Sequence, residues 1–227
     1  MLRKLCFESI LYQDMYPHKR GPLKAVYRYM NNEEYLEMFL KGKIRISTLK
    51  ACRLYENQEM GDKDEAKEVY KVSYMNDKDP NFHKKANKLN MSIVNSYDIT
   101  VQNCSREQWL PNGFVLCTTD RRDDEKFSKD FGKFCLRIND SERFFQIISK
   151  AIHEKYSLHG GLHEKIIYKP QHYLDDDPPP GKIGFVKRLR YSWQEEYRFL
   201  WLPKDWEIAD HLFIDIPEIK YLCERIL

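Results

Sequence analysis

The sequence predicts an α+β fold in a single domain, on three observations. Strand-like and helix-like stretches are mixed along the chain rather than strictly alternating, which argues against a doubly wound parallel sheet. Aromatic residues make up 14% of the chain, with 15 Tyr and 12 Phe, a share that suits β-rich packing. Residues 190–201 alternate with the period of two that a strand imposes. Tyr191, Trp193, Glu195, Tyr197, Phe199 and Trp201 fall on one face, nearly all aromatic. Arg190, Ser192, Gln194, Glu196 and Arg198 fall on the other, all polar until Leu200.

The elements follow in order. Residues 23–30 read as a first strand on Val26, Tyr27 and Tyr29. Asn31 or Asn32 caps a helix whose first turn holds Glu33 and Glu34, where the helix dipole favours carboxylates. Tyr35, Leu36, Phe39 and Leu40 form its apolar stripe, and Gly42 stops it. Residues 43–49 form a strand with Ile44 and Ile46 on one face and Arg45 and Ser47 on the other. Residues 56–90 are charged, with few periodic apolar residues, and read as short helices and loops of an insertion or cover. Residues 92–101 read as a further strand or short helix. Residues 114–119 are a compact apolar strand, followed by a polar turn at 120–123 and a strand at 132–138. Ser141 caps a helix running to Tyr156 on the stripe Phe144, Phe145, Ile148 and Ile152, and Gly160–Gly161 ends that region. Residues 166–168 make a short strand. The run at 175–182, with three Asp, three Pro and a Gly, is an exposed loop. Residues 212–216 make a last short strand.

Composition narrows the function. The chain has 227 residues, enough for one domain with a 22-residue N-terminal extension and the 56–90 insertion. Net charge is +3, from 38 basic and 35 acidic residues, which gives no general drive toward phosphate backbones or acidic membranes. Nucleic-acid binding would need a local patch such as Lys187-Arg188-Leu189-Arg190. The six cysteines (Cys6, Cys52, Cys104, Cys117, Cys135, Cys223) include no C-x-x-C spacing, so zinc-ribbon and dithiol redox patterns are absent. No apolar stretch approaches a membrane span, and a cytoplasmic, reduced protein is the expectation.

Chemistry concentrates on the polar face of residues 190–201. On a strand, Gln194 and Glu196 leave the same face about 7 Å apart. A fixed carboxylate can stabilise the cationic ribose that develops when a sugar loses a positively charged base, and can accept a hydrogen bond from a ribose hydroxyl. A nearby amide can orient the acceptor, and an arginine can hold a pyrophosphate by its fork. The plainer alternative for Glu196 is a strand carboxylate paired with Arg198 or Arg190. For Gln194 it is a solvated amide, and for Arg28 a structurally paired arginine. Asp62, Asp64, Glu65 and Lys67 have the residue types of a metal-dependent nuclease without a specific spacing. His159 and His163 have no third ligand in view, so no metal is expected.

Gln194-Glu195-Glu196 resembles the Q-x-E pattern of ADP-ribosyltransferases, with Glu196 matching the catalytic glutamate. The order of several motifs is similar to a bacterial domain-of-unknown-function family (number 2971). These are Val26-Tyr27-Arg28-Tyr29, Ile44-Arg45-Ile46-Ser47-Thr48, Val115-Leu116-Cys117-Thr118-Thr119, Phe131-Gly132-Lys133-Phe134-Cys135 and Glu196-Tyr197-Arg198. Together they span most of residues 23–202. The resemblance implies an ADP-ribosyltransferase-like split β-sheet cleft flanked by helices, with NAD as substrate and a protein or nucleic-acid acceptor. It implies that Arg28 contacts the NAD phosphates or ribose. It also implies that Ser47 and Thr48, or else Thr118 and Thr119, stand where such enzymes carry a Ser-Thr-Ser strand. No histidine lies on the first strand, so the His-Tyr-Glu variant is not matched. The exposed loop corresponds to a target-recognition turn, with Tyr191 or Trp193 as its aromatic member. A non-catalytic nucleotide- or protein-binding module of the same fold is the second expectation.

Overall fold

The computed structural model describes residues 25–55, 61–95 and 97–227. The expected N-terminal extension lies outside them. The chain runs through β1 (Val26–Met30), α1 (Glu33–Leu40), β2 (Lys43–Thr48), α2 (Leu49–Leu54), β3 (Lys67–Asn76), α3 (Phe82–Lys88), β4 (Thr100–Trp109) and β5 (Phe114–Thr119). Then come α4 (Asp124–Phe131), β6 (Phe134–Ile138), α5 (Ser141–Tyr156), β7 (Leu158–Lys165), β8 (Ile167–Tyr168) and β9 (His172–Leu174). β10 (Val186–Lys187), β11 (Glu196–Pro203), β12 (His211–Asp215) and β13 (Cys223–Arg225) complete the order. The fold is α+β, as expected, and its strand pairing is mostly antiparallel. Its described residues divide into two compact units, those within 25–65, 111–166 and 191–227, and those within 66–110 and 167–190.

The larger unit is built on an antiparallel sheet that branches at β5. On one side β5 pairs with β11, and β11 with β7. On the other side β5 meets two strands. β1 joins at Tyr27–Thr119 and leads to β6 and β13. β2 joins at Ser47–Val115 and Thr48–Phe114 and leads to β12. Alternation then sets the two faces. Val26, Ile44, Ile46, Phe114, Leu116, Tyr197, Phe199 and Trp201 enter the main core beneath α1 and α5. Tyr29 and Cys135 pack on the opposite face against Phe127 of α4.

Local chemistry explains the boundaries. Asn32 caps α1 by accepting a hydrogen bond from Glu34 N at 2.8 Å. Asp140, not Ser141, caps α5, accepting from Arg143 N at 2.9 Å. Gly42 takes φ +90° after α1, and a Cβ there would meet Ile216 O at 2.2 Å. Gly160–Gly161 does not terminate anything but lies inside β7. A Cβ on Gly161 would come within 2.9 Å of both Phe145 and Trp201, so the glycine permits close packing rather than a turn.

The strand expected over 190–201 is shorter. Leu189–Gln194 is a 3-10 turn, and Glu195 has φ +44°, so the strand starts at Glu196. The hydrogen bond from Glu195 N to Ser192 O, at 3.2 Å, closes that turn. The expected alternation therefore holds for Tyr197, Phe199 and Trp201 but does not extend to Tyr191 and Trp193.

The smaller unit corrects the reading of residues 56–90 as short helices and loops. Of these, 56–60 lie outside the described residues, and the ten-residue strand β3 occupies the centre. It pairs antiparallel with β4 and parallel with β9. Strand alternation was hard to see because it fails after Val72: Tyr74 is exposed and Met75 buried. α3 covers the sheet with Phe82 and Ala86. The Asp-rich loop is anchored rather than loose at its start. Lys88 Nζ donates to Asp177 O at 3.0 Å, and Lys85 pairs with Asp79 and Asp176 at 2.8 and 3.3 Å. In residues 92–101 a strand begins only at Thr100. The basic run at 187–190 is not a free patch, since Lys187 is buried in β10.

Candidate functional site

The branch at β5 has a cause in the register. β1 pairs Tyr27 with Thr119, and β2 pairs Ser47 with Val115, both antiparallel. Continuing both registers would bring Tyr29 and Arg45 to one place, opposite Cys117. One edge cannot seat two strands, so β1 and β2 diverge and the edge of β5 at Cys117 faces a gap. Arg28 fills part of it. Its Nη1 donates to Cys117 O at 2.6 Å, replacing a ladder bond that neither strand supplies.

Arg28 is the least satisfied cation here. Its Nε is buried with no hydrogen-bond partner, and no carboxylate pairs with it among the described residues. Burial pulls its guanidinium below the ordinary value, and Arg45 adds to the fall, while the Cys117 and Cys52 thiols oppose it. Arg45 is exposed on β2, and its Nη2 meets His211 Nε2 at 2.6 Å. No carboxylate pairs with Arg45 among the described residues.

Across β5 the expected catalytic strand is occupied differently. Glu196 is 4% exposed, and its Oε1 accepts from Arg198 Nε at 2.7 Å. Arg198 also donates from Nη1 and Nη2 to Glu65 Oε1 and Oε2, at 2.7 and 3.2 Å. Burial alone would lower the Arg198 pKa, but Glu196 and Glu65 outweigh it and hold the guanidinium well above its ordinary value. The pairing of Glu196 with Arg198, the plainer alternative, is thus present. Residues paired across strands share a face. Glu196 opposite Thr119 and Arg198 opposite Cys117 therefore look to the same side as Arg45 and Ser47. By alternation Arg28 belongs with Val26 and Met30 on the core side, and only its reach into the gap brings it to Cys117. The Cys117 thiol feels the charges of both Arg28 and Arg198.

The remaining expected residues scatter. Gln194 ends the 3-10 turn and is buried, so it is not a same-face strand neighbour of Glu196. Thr118 faces the other side, and its Oγ1 donates to Tyr197 O at 2.7 Å. Thr119 Oγ1 donates to Glu195 O at 3.0 Å. Thr48 is the N-cap of α2, accepting from Ala51 N at 3.1 Å. Ser47 is half-buried on β2. Of the nuclease-type residues, Glu65 is committed to Arg198, and among the described residues no group of three His, Cys, Asp or Glu could hold a metal ion. His163 joins β7 to α5 and β11, with Nδ1 at 2.8 Å from Tyr197 Oη and Nε2 at 3.0 Å from Glu142 Oε2.

Sequence reasoning missed Glu65, Arg45 and His211 as members of this region. Arg45 was visible as the polar residue between Ile44 and Ile46. Glu65 lies 133 residues from Arg198 and left no local signal. No helix among the described residues is long and apolar enough to cross a membrane. Compared with protein-family models, with curated proteins and with solved structures, the chain matches none.

Proposed function

We propose that the chain is an ADP-ribosyltransferase-like enzyme that uses NAD, with the branch at β5 as its split-sheet cleft. One observation carries this reading. Half-buried Arg28, its Nε buried without a partner, stands in the gap with no carboxylate paired to it among the described residues, one strand away from the buried carboxylate of Glu196. An uncompensated buried cation is costly, and a bound phosphate would offset that cost. In the reaction the bond from ribose C1′ to the nicotinamide nitrogen breaks. Nicotinamide leaves neutral with the bonding pair, and the ribose carries the positive charge. Glu196 stabilises that charge and Arg28 holds the pyrophosphate, while the acceptor's nucleophile joins C1′ and gives up its proton to water. Arg198 keeps its two bonds to Glu65, so Glu196 can turn to substrate without stripping the guanidinium.

A second reading, a nucleotide-binding module without turnover, is favoured by the 2.7 Å pairing of Glu196 with Arg198. Labelled NAD separates the two. The transferase reading expects nicotinamide release by the wild type and its loss in Glu196→Gln with NAD binding retained. Binding without release, equal in both proteins, would leave the module.

A further inference from the structure

The two arms that part at β5 carry one arginine each. Arg28 comes from β1 and is anchored to Cys117 O; Arg45 comes from β2, at the position whose register points to Cys117. Arg45 is exposed, whereas Arg28 is half-buried with its Nε out of reach of solvent. Burial first, and the like charge of Arg45 after it, hold the Arg28 guanidinium below its ordinary value. Nothing among the described residues neutralises either one. His211 adds no negative charge. With Nε2 accepting from Arg45 Nη2, its proton sits on Nδ1, which is buried with no partner. Burial and Arg45 both keep that ring neutral. The region therefore presents two fork-shaped cations and an imidazole N–H, with only the neutral acceptors Cys117 O and His211 Nε2 against the two guanidiniums among the described residues.

We propose that the mouth of the branch is a site for a pyrophosphate group, gripped by Arg28 from β1 and by Arg45 from β2. The second arm is what makes the ligand a pyrophosphate rather than a single phosphate. Two guanidiniums on diverging strands can each take one phosphoryl unit by bidentate hydrogen bonds. The ligand would close the gap that the strands leave. This deepens the transferase reading by assigning Arg45 to the same ligand, and it does not depend on turnover.

Isothermal titration of the full chain tests it, with inorganic pyrophosphate, inorganic phosphate, ADP and adenosine as separate arms. Pyrophosphate should bind at one site. ADP should compete with it and adenosine should not, if the pyrophosphate is what the site reads. Phosphate should bind at least tenfold more weakly. Arg45→Gln, at an exposed position that leaves the core intact, should weaken pyrophosphate at least tenfold, and Arg45→Lys should recover only part of the loss because the fork is gone. Arg28→Lys should also weaken it, with circular dichroism checking that the variant is folded. The proposal is overturned if the wild type binds no pyrophosphate at millimolar concentration, if Arg45→Gln binds it as the wild type does, or if phosphate binds equally well. Nicotinamide release is read separately. Pyrophosphate binding without release keeps this site and removes the transferase. Release that pyrophosphate does not inhibit and Arg45→Gln does not alter keeps the transferase and removes this site.

Discussion

Replacing Arg198 by Met tests the buried charge cluster beside the branch. Arg198 is 1% exposed and makes three charge-assisted hydrogen bonds, at 2.7 Å to Glu196 and at 2.7 and 3.2 Å to Glu65. Both glutamates are themselves buried. Removing the cation leaves two carboxylates in a low-dielectric strand face, and breaking a buried pair this way costs about 3–5 kcal/mol. For a chain of this length each kcal/mol shifts the melting point by about 2–4 °C, so the loss should be roughly 6–20 °C. Glu196→Gln is milder. It removes one charged partner while the bidentate pair with Glu65 survives, and about 1.5–3 kcal/mol is expected. The triple variant Glu65→Leu, Arg198→Met, Glu196→Leu should recover most of the loss of Arg198→Met, because a buried ion cluster exchanged whole for apolar groups is often neutral or stabilising. Urea titration followed by tryptophan fluorescence is suited to this, since Trp201 is fully buried in the same unit. A loss under about 1 kcal/mol for Arg198→Met, or no recovery in the triple variant, would refute the reasoning.

Three other outcomes follow from the same structure. His211 has its pKa lowered from 6.5, by burial first and then by Arg45, with Asp210 opposing. Its contribution to stability should be full above about pH 6.5 and fall as pH drops below that through the lowered folded value, because the unfolded chain then binds the extra proton. His211→Gln should flatten that decline in the urea midpoint, and an identical decline in both proteins would contradict the assignment. Gly132→Ala should cost about 3 kcal/mol or more, since the residue has φ +112° and a Cβ would meet the Met30 carbonyl carbon at 2.2 Å; a melting point within a degree or two of the wild type would count against it. Lys85→Met should free the start of the Asp-rich loop from its ties to α3, read as faster proteolysis within residues 175–181 while the larger unit keeps its melting point. An unchanged cleavage pattern would show that Lys88 alone suffices.

Much of the larger unit was legible because its strands carry apolar residues two apart. Ile44 and Ile46, Phe114 and Leu116, and Tyr197, Phe199 and Trp201 follow that spacing, and all seven enter one core. Legibility failed where polar residues do structural work. Glu195 sits between Gln194 and Glu196 in a positive-φ conformation that no hydrophobic pattern announces, and this breaks the expected strand. β3 hides its pattern under exposed Lys and Ser and an out-of-phase Met75. The site was half legible. Arg28, Arg198 and Glu196 stood out as charges on apolar strands, and the pairing of Glu196 with Arg198 was open to sequence reading. The branch itself was not, because it arises from two strands competing for the same edge of β5 opposite Cys117, a relation set only by long-range register.

The most direct measurement of the central claim is nicotinamide release from NAD by purified wild type beside folded Glu196→Gln. The account predicts release by the wild type and a fall of about a hundredfold or more in the variant, the scale expected when a group that stabilises developing charge is lost. Equal rates in the two proteins, or none in either while both bind NAD equally, would contradict it.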